Sequence, residues 1–477
     1  MCGHIERGGS PPTECPNCGA PFTAFQRQPR DPLAKFRRIE LVEEREPGHR
    51  YVIVGNSAAG RAAVRAISAL DEDGRITIIS EEDAELYARP MLPDFIGGHD
   101  RGDLFEISEM FPGEGAEVLV GERAVAIDPQ ARQVECESGR TVPYESLLLA
   151  TGSAPRKIDW PRSEADGIAY LRSLADAERI AELAEDASRA VVVGGGLLGL
   201  EFVRCFHMLG LSVTHLVRES WVGSSALDEE AGRIIEDALD DWGVHVALEE
   251  EVAAFIADEG RVRAVETSRG RRIEGDLVGV AVGAMPRTEL AEQTGLDRGR
   301  GILVDDRFRS SAPGIYAAGD VAEAYDVVWD EPRVNTSWRN AQEQGEAAGI
   351  AMAGGRVAYP GSMGVNYQLA GGIPFCALGI AVPGDTDEFE AHLTSDRHAR
   401  TYARHVLRDA GRRFERGAAD RGPAPRRRRT DPEIRPAGEA PGTGRGSCRT
   451  PYSRGGSRGG IVHAQDDRGE PAGFLRR

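Results

Sequence analysis

Two glycine turns of one design stand in this chain. Tyr51-Val52-Ile53-Val54 runs into Gly55-Asn56-Ser57-Ala58-Ala59-Gly60, and Ala190-Val191-Val192-Val193 runs into Gly194-Gly195-Gly196-Leu197-Leu198-Gly199. An apolar strand, a turn at G-x-G-x-x-G spacing and a helix-like stretch are the context in which this motif marks a dinucleotide site. The first glycine makes the tight turn, the second lets the backbone approach a pyrophosphate, and the third lets helix and strand pack. The phosphates then meet free N–H groups at the helix start. Two such turns predict two dinucleotides, with electrons passing between them. The fold class is α/β, with two Rossmann-like, doubly wound nucleotide-binding domains. The first site is assigned to Gly55, Ser57, Ala59 and Gly60, and the second to Gly194, Gly196 and Gly199. Ser57 departs from the pattern, standing where the second glycine usually does.

The strands that follow each turn carry the next candidates. Arg75–Ser80 reads as a strand and ends in Glu81-Glu82-Asp83, where a carboxylate would accept from a ribose hydroxyl. Glu81 is the candidate, a solvated acidic loop the alternative. In the second unit Leu211–Val217 is followed by Arg218 and Glu219. Arg218 could bind a 2′-phosphate, or Glu219 could reach the ribose, so NADH and NADPH both stay open.

Further along lie Leu149-Ala150-Thr151-Gly152 and Gly314-Ile315-Tyr316-Ala317-Ala318-Gly319-Asp320. The order of these segments resembles that of the FAD-dependent pyridine nucleotide oxidoreductases, in the branch of NADH:rubredoxin reductases and nitrite reductase flavoproteins. The resemblance runs from about residue 49 to about 409. It implies an FAD domain in two parts, 49–160 and 285–334, split by an NAD(P)H domain at 161–284, then an α+β interface domain, truncated here to 335–409. Asp320 would accept from a ribityl hydroxyl, Thr151-Gly152 would mark the crossing between domains, and the Ala124 backbone would meet the adenine. Glu201 resembles the acidic residue near nicotinamide and flavin, and Gly283 joins the coenzyme set. Trp338 and Gln344, in a helix resembling one beside the flavin, could touch the isoalloxazine or pack the core.

Tyr87-Ala88-Arg89-Pro90-Met91-Leu92-Pro93 resembles the flavin-side loop of the branch. Arg89 would sit near the flavin or its pyrophosphate. Related thiol enzymes carry a redox cysteine at the place of Pro90, and a proline cannot attack a disulfide. The resemblance therefore implies a flavoprotein reductase without a redox-active disulfide, with no firm catalytic residue. It would take hydride from NAD(P)H onto FAD and pass electrons singly to a rubredoxin-type iron centre, in cis or on a partner. Two alternatives stand: an electron-transfer component for a nitrite reductase or oxygenase, and a non-catalytic binding protein or gene relic. The partners implied are NAD(P)H and a rubredoxin-type or other redox protein, with a homodimer left open.

The two ends depart from this pattern. Met1-Cys2-Gly3-His4 and Cys15-Pro16-Asn17-Cys18-Gly19 resemble the knuckles of a rubredoxin-like domain over residues 1–30, whose thiolates hold iron or zinc. Cys2, Cys15 and Cys18 give three ligands, and the fourth would precede Met1. Either the true start lies upstream or the site has decayed. From about Gly411 the sequence turns rich in Arg, Pro and Gly, including Arg426-Arg427-Arg428-Arg429, with little aliphatic periodicity. Such a segment cannot bury enough surface to fold, so 410–477 reads as a disordered basic tail, either a frameshift product or an arm for an acidic partner. A net charge of −19 argues against nucleic acid. No apolar run of membrane length or export leader is evident, and seven cysteines form no even framework. A cytoplasmic enzyme without membrane partners is the expectation.

Overall fold

Two parallel five-stranded sheets share the order of four strands and differ in the outer one, which comes last along the chain in the first sheet and first in the second. The computed structural model describes residues 39–110, 115–382, 389–408 and 459–464. Across the first sheet the order is Ile315–Ala317, Ser146–Leu149, Arg50–Val54, Arg75–Ser80 and Ala116–Val120. Across the second it is Ile168–Ala169, Leu277–Val280, Arg189–Val193, Ser212–Val217 and His245–Leu248. The central strands are unbroken apolar runs because both sheet faces are covered: Tyr51 to Val54 and Ala190 to Val193 are all buried. An antiparallel three-stranded meander follows in each unit, Ala124–Asp128, Gln133–Cys136 and Thr141–Pro143 in one, Val252–Asp258, Arg261–Thr267 and Arg272–Glu274 in the other.

The chain leaves the first unit and returns to it through one antiparallel pair, Ser153–Pro155 against Ala284–Pro286. Ile315–Ala317, supplied after the whole second unit, then completes the first sheet. This topology brings Gly55, Thr151 and Asp320 to the same sheet end. Behind it, the Trp338–Met352 helix lies against Ala58–Leu70 at backbone contact. A Cβ on Gly345 would stand 2.1 Å from the Ala59 carbonyl oxygen, and one on Gly349 would stand 2.6 Å from that of Ala63. Ala59, expected at the first dinucleotide site, is thus part of this helix contact.

A third, antiparallel sheet has the order Val365–Ala370, Ile373–Leu378, Gly459–Ala464, Thr401–Arg408 and Phe389–Asp396. The expectation of a structureless tail from 410 onward is corrected at Gly459–Ala464, which fills the centre of this sheet. Without that strand, Ile373–Leu378 and Thr401–Arg408 would each present an open edge. Its Gly-Gly-Ile-Val-His-Ala text contains two β-branched residues within polar surroundings, enough to pair between existing strands. The Cys2, Cys15 and Cys18 knuckle and the arginine run lie outside the described residues. No helix among the described residues is long and apolar enough to cross a membrane.

Candidate functional site

Backbone geometry dictates the outer glycines of both turns. Gly55 has φ +120°, and a Cβ there would come 2.2 Å from the Ala150 carbonyl oxygen. Gly194 has φ +118°, with the Ala281 carbonyl oxygen at the same 2.2 Å. Each of these amides donates to the neighbouring strand, Gly55 to Ile79 and Gly194 to Leu216, both at 2.9 Å. A Cβ on Gly60 would fall 2.0 Å from the Gly55 carbonyl oxygen, and on Gly199 1.9 Å from that of Gly194. The middle position is different. Gly196 has φ −81° and room for a Cβ, its nearest neighbour being Ser225 Oγ at 3.9 Å, and Ser57 sits at φ −131°. The first turn therefore accommodates a serine without strain.

Among the described α-helices of twelve residues or more, capping separates these two turns from the others. Leu174–Glu185, Glu229–Asp241 and Trp338–Met352 begin with side-chain caps: Ser173 accepts from Asp176, Asp228 from Ala231 and Ser337 from Asn340. Ala58–Leu70 and Leu197–Met208, the helices of the two glycine turns, have no side-chain cap. Their first N–H groups need an acceptor from elsewhere. Two glycine cradles with uncapped donors and a favourable helix dipole fit two diphosphates.

Around the first turn several charges converge. Asp320 follows Gly319 and accepts from Ser153 Oγ at 2.9 Å and from Arg172 at 3.3 Å. Thr151 Oγ1 donates to the Arg287 carbonyl, and Arg287 N donates to that of Gly152, both at 2.9 Å, so Thr151-Gly152 is bonded to the returning chain. Gly283, at φ +112°, accepts from Arg156 at 2.9 Å on the same crossing. Glu81 pairs with Arg287 at the end of its strand. Arg89 donates to Glu82 at 2.7 Å and to the Arg172 carbonyl, while its buried Nε has no hydrogen-bond partner. Tyr87 donates to Glu82 at 2.6 Å, and the Arg89 guanidinium holds the Glu82 carboxyl below its ordinary range against the opposing effect of burial.

The two units and the third sheet meet at a cavity of about 360 Å³. Arg89 and Pro90 line it from the first unit, Leu197 and Glu201 from the second glycine turn, Trp338 and Tyr367 from the third region. Arg204 binds Glu201 at 2.9 Å and Asp94 at 2.7 Å along its wall. Burial pushes the Glu201 carboxyl up, and the Arg204 guanidinium opposes that shift. Under the second turn, His215 is fully buried with Nε2 2.9 Å from the Gly194 carbonyl oxygen, and burial lowers its pKa to about 4.

Other expected residues fall farther from the cavity. Ala124 heads the first meander, paired with Cys136. Arg218 is exposed and bonds Glu219 at 2.8 Å. Gln344 does not face the cavity: fully buried, it accepts from Gly319 N and donates to Ser362 Oγ, both at 2.8 Å, and so supports the turn before Asp320. Arg172, Arg204, Asp94 and Arg287 were not evident from the sequence. Each meets a partner far along the chain, and no local spacing announces them.

The family model described as pyridine nucleotide-disulphide oxidoreductase matches residues 49–345. The ferredoxin--NAD(+) reductase subunit of the benzene 1,2-dioxygenase system of Pseudomonas putida is 32% identical, over 70% of this chain and 81% of that protein. Rubredoxin-NAD(+) reductase of the same species is 28% identical, over 64% of this chain and 80% of its own length. The crystal structure of the ferredoxin reductase for the CYP199A2 system of Rhodopseudomonas palustris superposes with a TM-score of 0.69 at 26% identity, covering 76% of this chain and 88% of that one. The glycine cradles, the split first sheet and these likenesses agree, and the chain belongs to the pyridine nucleotide-disulphide oxidoreductase family as an FAD-dependent NAD(P)H oxidoreductase.

Proposed function

We propose that this protein takes hydride from NAD(P)H and delivers electrons singly to a rubredoxin-type or ferredoxin-type iron centre, in cis or on a partner protein. FAD, when bound, supplies the step from a two-electron donor to one-electron acceptors. The uncapped N-termini after Gly55 and Gly194 would hold the two diphosphates, with Glu81 on a ribose and Asp320 on a ribityl hydroxyl. Arg89 and Arg172 would offset anionic charge beside them. Leu197, Trp338 and Tyr367 would exclude water from the meeting point and hold the rings in line, a contribution of alignment rather than acid-base chemistry. The domain organisation that goes with this reading is the split FAD domain, inserted coenzyme domain and interface domain expected from the sequence.

The observation that carries the reading is the cavity wall at Pro90. Among the described residues, none that lines the cavity is a cysteine. Among the described cysteines, Cys136 and Cys205 are buried in cores, and burial pushes both thiols up, away from the reactive thiolate. Electrons leaving this site then go to an acceptor beyond the cavity. Relatives named for ferredoxin and rubredoxin support a small iron protein as acceptor. Cys2, Cys15 and Cys18 would offer iron three of the four thiolates of a rubredoxin-like site in cis. An electron-transfer component for an oxygenase or nitrite reductase system, with the N-terminal cysteines as a zinc module, is the second reading; the dioxygenase relative favours its oxygenase part. Metal analysis of the purified chain separates them: iron supports the internal acceptor, zinc the structural module. Reduction of added rubredoxin or ferredoxin by NAD(P)H supports the proposal, whereas turnover of disulfides or persulfides in its place overturns it.

A further inference from the structure

Arg204 belongs to the helix of the second glycine turn, yet its guanidinium reaches into the first unit. Nη1 donates to Asp94 Oδ1 at 2.7 Å, Nε donates to Glu201 Oε2 at 2.9 Å, and Nη2 lies 2.8 Å from that same oxygen. Asp94 sits on Leu92–Ile96, directly after the Arg89-Pro90 loop. The side chains of Arg204 and Asp94 are 7% and 2% exposed. All three residues line the cavity. One buried cation thus serves two carboxylates carried by different nucleotide units.

We propose that Arg204 is a positioning residue for hydride transfer, clamping the coenzyme helix to the flavin-side loop and keeping the Glu201 carboxylate charged and fixed at the cavity wall. The inference rests on the functional reading above. Among the described residues lining the cavity, no other cation substitutes. Arg89 and Arg172 also line the cavity but are engaged by Glu82 and Asp320. From the third sheet, Gln368 donates to the Leu197 carbonyl at 2.5 Å, and Tyr367 lines the same wall. From the strand beneath, His215 is neutral and bonded to Gly194. Without Arg204 the two carboxylates would face each other in a partly dry site, and such pairs cannot both stay ionised.

The test compares FAD-loaded wild type with Arg204→Leu, Arg204→Lys and the double variant Arg204→Leu/Asp94→Asn. Two readouts are taken from about pH 6 to about pH 9: the rate of anaerobic reduction by NAD(P)H, and the protons taken up on NAD+ binding, from calorimetry in buffers of different ionisation heat. In Arg204→Leu the reduction rate falls by about a hundredfold at the acid end and recovers partly at the alkaline end, where Glu201 ionises without its guanidinium, and NAD+ binding gains a pH-dependent proton exchange. Arg204→Lys keeps the wild-type pH profile, and Asp94→Asn restores much of the rate lost in Arg204→Leu. An equal loss at every pH, or no rescue by Asp94→Asn, overturns the proposal. If Arg204→Leu does not fold, an altered pH profile in Arg204→Lys overturns it as well. Wild type that NAD(P)H does not reduce refutes the functional reading itself, a result distinct from a variant that matches wild type.

Discussion

Gly199→Ala tests the second cradle while sparing the first. The added Cβ would stand 1.9 Å from the Gly194 carbonyl oxygen, a backbone atom that cannot rotate away. The separation is roughly 1 Å short of any tolerable contact, so the helix start must move off the turn, at a cost of about 1–3 kcal/mol by the usual price of overpacking. The same displacement spoils the alignment of the uncapped N–H groups with a diphosphate. NAD+ affinity should fall by roughly tenfold to a hundredfold, as that free energy converts. Gly196→Ser is the control: its Cβ has 3.9 Å of room, and Ser57 shows a serine at the matching position. Calorimetric titration of NAD+ into FAD-loaded protein measures the affinity, and visible absorbance measures FAD content. Gly199→Ala should lose NAD+ affinity with FAD retained, and Gly196→Ser should lose far less. Equal loss in both variants, or loss of FAD with Gly199→Ala, would refute the reasoning.

Other consequences follow from individual contacts. Arg218→Ala should lower kcat/KM for NADPH by about tenfold more than for NADH if the exposed guanidinium meets a 2′-phosphate; an unchanged ratio assigns the ribose to Glu219. Asp276 is bonded by Arg189 and by Ser188, whose donors hold its pKa at about 2. A depressed carboxylate pKa contributes stability above the unfolded value of 3.8 that is lost as pH falls toward 2. Asp276→Asn should therefore flatten the acid limb of the stability curve, and an unchanged limb speaks against the bond network. Asp228 caps Glu229–Asp241 and also accepts from Tyr402 at 2.6 Å and Arg404 at 2.7 Å in the third sheet. In urea denaturation Asp228→Ala, which loses cap and ion pair, should be about 1 kcal/mol less stable than Asp228→Asn, which keeps the cap; equal stabilities would deny the cap its role.

The parts of the site that were legible in sequence are those the backbone enforces. Gly55, Gly60, Gly194 and Gly199 each meet a carbonyl oxygen that excludes a Cβ, so their spacing carries the turn geometry directly. Ser57 read as a departure that adds only one small side chain, and the structure accounts for it, because the middle position has an ordinary φ. The Arg204–Asp94 and Arg172–Asp320 pairs were not legible: they form across separate units, and charged residues in isolation look like solvated surface. Gln344 stood between a ligand role and core packing, since a polar residue on a helix beside a cofactor region fits either, and its amide is consumed by Gly319 and Ser362. The strand Gly459–Ala464 was hidden by its neighbours, since composition averaged over an arginine-rich tail conceals six residues that complete a waiting sheet.

Anaerobic mixing of FAD-loaded protein with NADH or NADPH, followed by flavin absorbance and then by addition of oxidised rubredoxin or ferredoxin, is the most direct test of the account. It predicts rapid bleaching of the flavin by at least one coenzyme and return of the oxidised spectrum as the iron protein is reduced. A flavin that neither coenzyme bleaches, or a bleached flavin that no iron protein reoxidises, would contradict it.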